Sequence, residues 1–209
     1  MQTERGLERL ITFLDAVVAI AITLLVLPLI DLLGEAGAVP LGELLGDHLA
    51  QLGSFALSFV VIARLWLVHH RMAEWVGGYD AVFLWLNLLW AFTIVLLPFS
   101  SQVVAAYGTE PLSLALYVGT ITASAATTAA IAGLVRQRPA LRRPGVSGAD
   151  IGVSHGVITV VLLVLALVVG VVFRSVNFFA LLLLFLEGPA RWLLGALRSR
   201  KPAGARPLR

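Results

Sequence analysis

Six long apolar runs constrain this chain more than any other feature of its sequence. Each run is long enough to cross a lipid bilayer as a helix, and longer than the strands of a membrane barrel. Only 13% of the residues are charged, against about a quarter in soluble domains. The predicted fold class is therefore an all-α integral membrane protein with six transmembrane helices. The predicted spans are Leu7–Leu33, Leu49–His70, Ala81–Ala106, Leu112–Val135, Ile151–Phe173 and Val176–Leu197.

The spans form one predicted membrane domain, residues 1–198, followed by a basic cytoplasmic tail, residues 199–209, that we expect to be disordered. Arg5 and Arg9 precede the first run as they would in a signal peptide. That run is longer than a signal core and contains Asp15, so we expect it to be retained as a span. The chain has no cysteine, so disulfides and thiolate metal sites are excluded.

The distribution of basic residues predicts the orientation of the chain in the membrane. With the N-terminus inside, thirteen of the fifteen Lys and Arg residues fall on the cytoplasmic side and only Arg174 falls outside. This asymmetry predicts that both termini are cytoplasmic. We expect a multi-pass protein of the plasma membrane. The same basic residues account for the basic isoelectric point of the chain, about 9.9, so a nucleic-acid partner is not needed to explain it. We therefore predict the lipid bilayer, and no nucleic acid, as a partner.

Motifs of enzyme chemistry are absent from the sequence. It has no glycine-rich phosphate loop, no HExxH and no GxSxG, so we predict neither an enzyme nor a cofactor. His69 and His70, with Glu74, come nearest to a metal cluster. Adjacent residues on a helix point about 100° apart, so we predict no metal site there.

Asp15 is an ionisable residue inside the first span, where such groups are costly and usually face a partner or water. Arg9 lies six residues away, about 240° around a helix, so we expect Asp15 to reach another helix. We interpret the embedded polar groups as structural: they form hydrogen bonds that join the helices. The alternative is that they form a proton or ion relay. The candidate partners of Asp15 are Arg64, His69, His70 and Asn87.

The upper part of the first span carries an apolar stripe. Ile20, Leu24 and Leu27 follow at i, i+4 and i+7, and Thr23 lies on the same side. Periodicity alone indicates only a lipid-facing or packing surface here.

Three ordered motifs resemble the prokaryotic transmembrane protein 175 family of potassium channels. The family signature is an arginine, then Phe-Ser-Asp, then an apolar run; here Arg9, Phe13 and Asp15 match, with Leu14 in place of the serine. The matching segments are AIAITLLVLPL (Ala19–Leu29), SFVVIARLWLVHHRM (Ser58–Met72) and NLLWAFTIVLLPFSSQVV (Asn87–Val104).

The resemblance implies six helices per chain and a homotetramer whose central pore is lined by span 1. It implies a constriction of Ile20, Leu24 and Leu27, with Thr23 as the nearby polar group. It also implies that Arg9, Phe13 and Asp15 hold span 1 against its neighbours.

The function that follows is a potassium-preferring cation channel in which potassium is the permeant ion. Apolar rings can gate by dewetting, and the sequence has no TVGYG-like filter. Two alternatives stay open: a proton- or ion-coupled secondary transporter, and a non-conducting structural membrane protein.

Overall fold

The computed structural model describes residues 4–35, 39–108 and 110–172, and this part of the chain is helical. Two 3₁₀ turns, Leu32–Glu35 and Pro139–Leu141, connect helices. The α-helices are α1 (Glu4–Leu24), α2 (Leu27–Asp31), α3 (Leu41–Asp47), α4 (Leu49–Ala73), α5 (Ala81–Tyr107), α6 (Pro111–Gln137) and α7 (Val153–Val172).

Four stretches of the described chain are long and apolar enough to cross a membrane. They are Glu4–Asp31, which combines α1 and α2, and the helices α4, α5 and α6. They confirm the all-α class and coincide, within a few residues, with the first four predicted spans. Helix α7 lies where the fifth span was predicted, and the sixth predicted span lies outside the described residues.

The core lies where α1, α4, α5 and α6 meet. Trp90 and Phe83 of α5 and Tyr117 of α6 are among its largest buried side chains. Helix α6 also buries Ser and Thr residues, and Thr120 and Thr128 satisfy their hydroxyls by donating to carbonyls one turn earlier, at 2.7 and 3.0 Å. Small side chains and such internal hydrogen bonds let helices approach closely where water is absent.

The first span is interrupted between α1 and α2. The backbone N–H groups of Leu25 and Val26 donate to the carbonyls three residues earlier, at 3.3 and 3.2 Å, in place of the α-helical four. Pro28 follows, and a proline has no N–H to donate to the carbonyl of Leu24. The predicted continuous span Leu7–Leu33 is therefore two helices joined by a tight turn.

On the side predicted to be cytoplasmic, the loop after α6 packs on the turn between α4 and α5. The N–H of Gly77 donates to the carbonyl of Leu141, and the N–H of Arg143 donates to the carbonyl of Trp75, both at 2.9 Å. A Cβ added at Gly77 would lie 2.8 Å from the Cα of Arg143. Only glycine therefore fits this position without movement of the backbone.

Asp80 joins the same two segments. Its carboxylate caps α5 by accepting from the N–H of Phe83 at 2.8 Å, and it forms an ion pair with Arg138. The backbone hydrogen bond from Phe83, followed by the bond and charge of Arg138, lowers the pKa of Asp80 below its ordinary value, against a partly opposing desolvation.

Candidate pore-lining face and its bracing network

Helix α1 has a buried face and an exposed face. The buried face packs against α4 and α5, and its spacing of three and four residues is that of one helical stripe. Leu14 is only 1% exposed, so the residue that replaces the family serine is a core residue in this chain. The buried residues of the stripe are Leu7, Leu10, Leu14, Val18 and Ala21.

The residues expected at the constriction are exposed. Ile20 is 60% exposed, Leu24 41% and Leu27 52%, and Thr23 is exposed beside them. The Thr23 hydroxyl donates to the carbonyl of Ile20 at 2.8 Å, so its oxygen keeps acceptor capacity. Ile20, Thr23 and Leu24 are thus exposed on α1, and Leu27 is exposed on α2, beyond the turn that ends α1.

Asp15 connects α1 to α4. Its carboxyl oxygen accepts from the indole Nε1–H of Trp66 at 2.8 Å, and the Trp66 ring lies 5.2 Å from the ring of His70. Sequence reasoning named candidates on both α4 and α5 and overlooked the tryptophan. The signal was present, because Trp66 begins the Trp-x-x-His-His element. Arg9 and Phe13 lie on the exposed face of α1.

Two of the candidate partners, His69 and Asn87, form a second buried group between α4 and α5. His69 Nε2 lies 2.8 Å from Asn87 Oδ1, and Asn87 donates its amide N–H to the carbonyl of Phe83 at 2.8 Å. The His69 ring stacks on Trp90 with centroids 3.8 Å apart. In this arrangement His69 Nε2 is the donor, since Asn87 Oδ1 can only accept. The group holds α4 to α5.

A hydroxyl cluster closer to the predicted outer side was not foreseen from the sequence. Ser58 Oγ lies 2.6 Å from Ser101 Oγ and 3.2 Å from the hydroxyl of Tyr117, and it links α4, α5 and α6. It borders a cavity of about 290 Å³ with small residues such as Gly53 and Ala105 in its wall. No metal-binding group of three or more His, Cys, Asp or Glu occurs among the described residues. Arg64 lies elsewhere, in the wall of a second cavity.

Comparison with known proteins shows which family and which relatives the first helices resemble. The family model described as endosomal/lysosomal potassium channel TMEM175 matches residues 9–98, a stretch that holds the first two motifs and most of the third. A Streptomyces collinus protein named as a potassium channel is 33% identical over 99 residues, which cover 47% of this chain and 48% of the relative. The resemblance to the family is therefore confirmed over residues 9–98.

More distant relatives extend the comparison. The rat and mouse proteins named endosomal/lysosomal proton channel TMEM175 are each 26% identical over 140 residues, 66% of this chain and 28% of theirs. The chain thus spans about half, or less, of the curated relatives that it matches. The crystal structure of a lysosomal potassium-selective channel TMEM175 homolog from Chamaesiphon minutus aligns with a TM-score of 0.69 at 22% identity, and covers 94% of this chain and 99% of that one. The fold is shared.

Proposed function

We propose that this chain, related to the TMEM175 family through residues 9–98, is a subunit of a potassium-preferring cation channel. The observation that carries the proposal is the exposure of Ile20 and Leu24 on α1, whose other face is buried in the core, and of Leu27 at the start of α2. Since one helix cannot enclose a pore, several copies are needed, and we propose a homotetramer with these three residues at its centre. Potassium passes, and no cofactor takes part.

Stacked apolar rings would act as filter and gate together. Such rings pass ions that shed water readily and close by dewetting, and Thr23 supplies the one hydroxyl at the same level of the pore. The chain would lie in the plasma membrane with both termini in the cytoplasm, the orientation that its arginines predict.

Bi-ionic recording in planar bilayers tests conduction. With potassium on one side and sodium on the other, the purified protein should give a reversal potential that favours potassium. A pH gradient in symmetrical potassium should leave the reversal potential near zero. A reversal at the proton equilibrium potential would indicate a proton channel, and the absence of current would favour a carrier or a structural protein.

A matched pair of substitutions tests which face of the first span lines the pore. Ile20→Asn should raise the current and reduce potassium preference, because water would accompany the ion through that ring. Ile22→Asn lies about 200° away at a half-buried position packed against the core, and should affect stability while leaving the preference unchanged. The opposite result, an unchanged potassium-to-sodium permeability ratio in Ile20→Asn and a collapsed ratio in Ile22→Asn, would mean that another face of the helix lines the pore.

Native mass spectrometry tests the assembly. The protein released from detergent should have four times the mass of the chain. A monomer or dimer as the sole species would contradict the pore itself, because span 1 would have too few copies to surround an ion path.

A further inference from the structure

The cavity beside Ser58, of about 290 Å³, lies between α4, α5 and α6. Along α4 its wall runs from Ala50, near the start of that helix, to Ser58, a distance of about 12 Å along the helix axis. The cavity therefore extends from the predicted outer side toward the middle of a hydrocarbon core. In the part of the chain that the structure describes, no charged side chain lines it.

Most of the wall is formed by small or apolar residues. Gly53 and Leu57 on α4 are exposed, and a Cβ added at Gly53 would meet no atom within 4 Å. The cavity is therefore open at the surface of the described helices, so a molecule can enter it without displacing the core. Because burying a charge without a partner is costly, this wall favours a neutral and mainly apolar molecule.

The hydroxyl cluster supplies the polar part of the wall. Ser58, Ser101 and Tyr117 are each 2% exposed, and each hydroxyl carries one hydrogen to donate. Two hydrogen bonds join them, from Ser58 to Ser101 at 2.6 Å and from Ser58 to Tyr117 at 3.2 Å. These hydroxyls make no other hydrogen bond to the described residues. One of the three hydrogens therefore stays without an acceptor in every orientation of the cluster, and a buried donor in that state is costly.

We propose that this cavity binds a small neutral alcohol. The alcohol oxygen accepts the remaining hydrogen, and the alcohol O–H donates to a lone pair that the cluster leaves unused. An apolar cavity of about 150 Å³ holds a molecule the size of benzene, so the larger volume here suits about ten non-hydrogen atoms, with the hydrocarbon part against the apolar wall. The proposal does not depend on conduction, since it concerns three helices of one chain.

Photolabelling of the purified protein with a diazirine derivative of octanol locates the site. The label should lie on wall residues such as Leu57 and Tyr117 when the protein is digested and its peptides are sequenced by mass spectrometry. Ala105→Leu narrows the cavity from α5 and should reduce this labelling about tenfold. Ala106→Leu is the matched control, because Ala106 is exposed and outside the wall, and it should leave the labelling unchanged. Equal losses in the two variants, or label spread evenly over exposed apolar residues, would overturn the proposal.

Competition by unlabelled molecules tests the hydroxyl requirement and needs no variant to fold. Hexanol should displace the label at about one fifth of the concentration of heptane in the micelle, which is the advantage of one hydrogen bond between neutral groups. Replacing the cluster as a whole (Ser58→Ala, Ser101→Ala and Tyr117→Phe together) should abolish this advantage and leave competition by heptane intact. Equal competition by hexanol and heptane in the wild type would identify a site for an acyl chain. Failure of both to compete would mean that another helix or a second copy of the chain fills the cavity, and either result would overturn the proposal.

Discussion

The hydrogen bond between Trp66 and Asp15 should couple α1 to α4 measurably. Trp66→Phe removes the N–H that donates to Asp15 at 2.8 Å and keeps an aromatic ring in place. Hydrogen bonds to charged groups contribute about 1.5–3 kcal/mol, whereas those between membrane helices average about 0.6 and reach about 1.7 kcal/mol. Because Asp15 is half-buried, we expect a coupling of about 1–2 kcal/mol between the two side chains.

A double-mutant cycle measures this coupling by thermal unfolding in detergent. Asp15→Ala and Trp66→Phe should each lower the melting temperature by about 2–8 °C, and the double variant should lose less than the two losses combined. Trp66→Phe also alters the contact of the ring with His70, but that effect is common to both backgrounds and cancels in the cycle. Trp85→Phe is the matched control, since Trp85 is 68% exposed on α5 and should change little.

If the stability losses of the two single variants add up to that of the double variant within about 0.5 kcal/mol, the coupling is refuted. Asp15 would then have no structural role toward α4. A further outcome would redirect the interpretation. If Asp15→Ala were as stable as the wild type yet non-conducting, the carboxyl group would handle ions directly.

Three other substitutions test the supporting structure. Gly77→Ala should destabilise the protein, because its Cβ would lie 2.8 Å from the backbone of Arg143; thermal unfolding should show this, and an unchanged midpoint would contradict the close packing. Asp80→Ala should lower the stability at neutral pH through loss of the helix cap and of the Arg138 ion pair. Because the folded-state pKa of Asp80 is lowered, its contribution is complete above the ordinary aspartate pKa and disappears as pH falls through the folded value. The gap between wild type and Asp80→Ala should therefore narrow in acid, and a constant gap would contradict the assignment. Leu14→Ser, which restores the family residue, should cost about 2–4 kcal/mol in chemical denaturation because Leu14 is 1% exposed; a neutral result would mean that the site accepts a hydroxyl.

Hydropathy predicted the described spans because a bilayer requires a segment to be apolar over its whole thickness, and hydropathy measures this property. It predicted α5 and α6 within about two residues at each end, but it missed the interruption of the first span at Leu25 and Val26. A hydropathy average taken over about 19 residues is insensitive to the backbone of two residues. Pro28 was the available signal, since a proline inside an apolar run removes one helical hydrogen bond.

Hydrogen-bond partners on neighbouring helices were harder to predict, because they depend on how each helix is rotated about its axis and on how far it is shifted along the membrane normal. Asp15 was expected to reach another helix because of the cost of a buried charge and because Arg9 points elsewhere on the same helix, and it does so, through Trp66. The choice of Trp66 follows from how α1 and α4 cross, and a span that is apolar on nearly every side carries little information about its rotation. Ser58, Ser101 and Tyr117 likewise meet although 43 and 59 residues separate them along the chain.

The interruption of span 1 divides the proposed constriction into a fixed part and a movable part. Ile20 belongs to α1, whose opposite face is buried in the core, whereas Leu27 begins α2, five residues of which none is buried. Helix α2 is attached by the hydrogen bond from Gln51 Nε2 to the carbonyl of Pro28, at 3.1 Å. Movement of α2 therefore disturbs few contacts, so we expect Leu27 to form the gate and Ile20 the fixed ring that governs selectivity. Gln51→Ala should change the open probability in single-channel recordings and leave the potassium-to-sodium ratio unchanged; a changed ratio with unaltered gating would reverse the two roles.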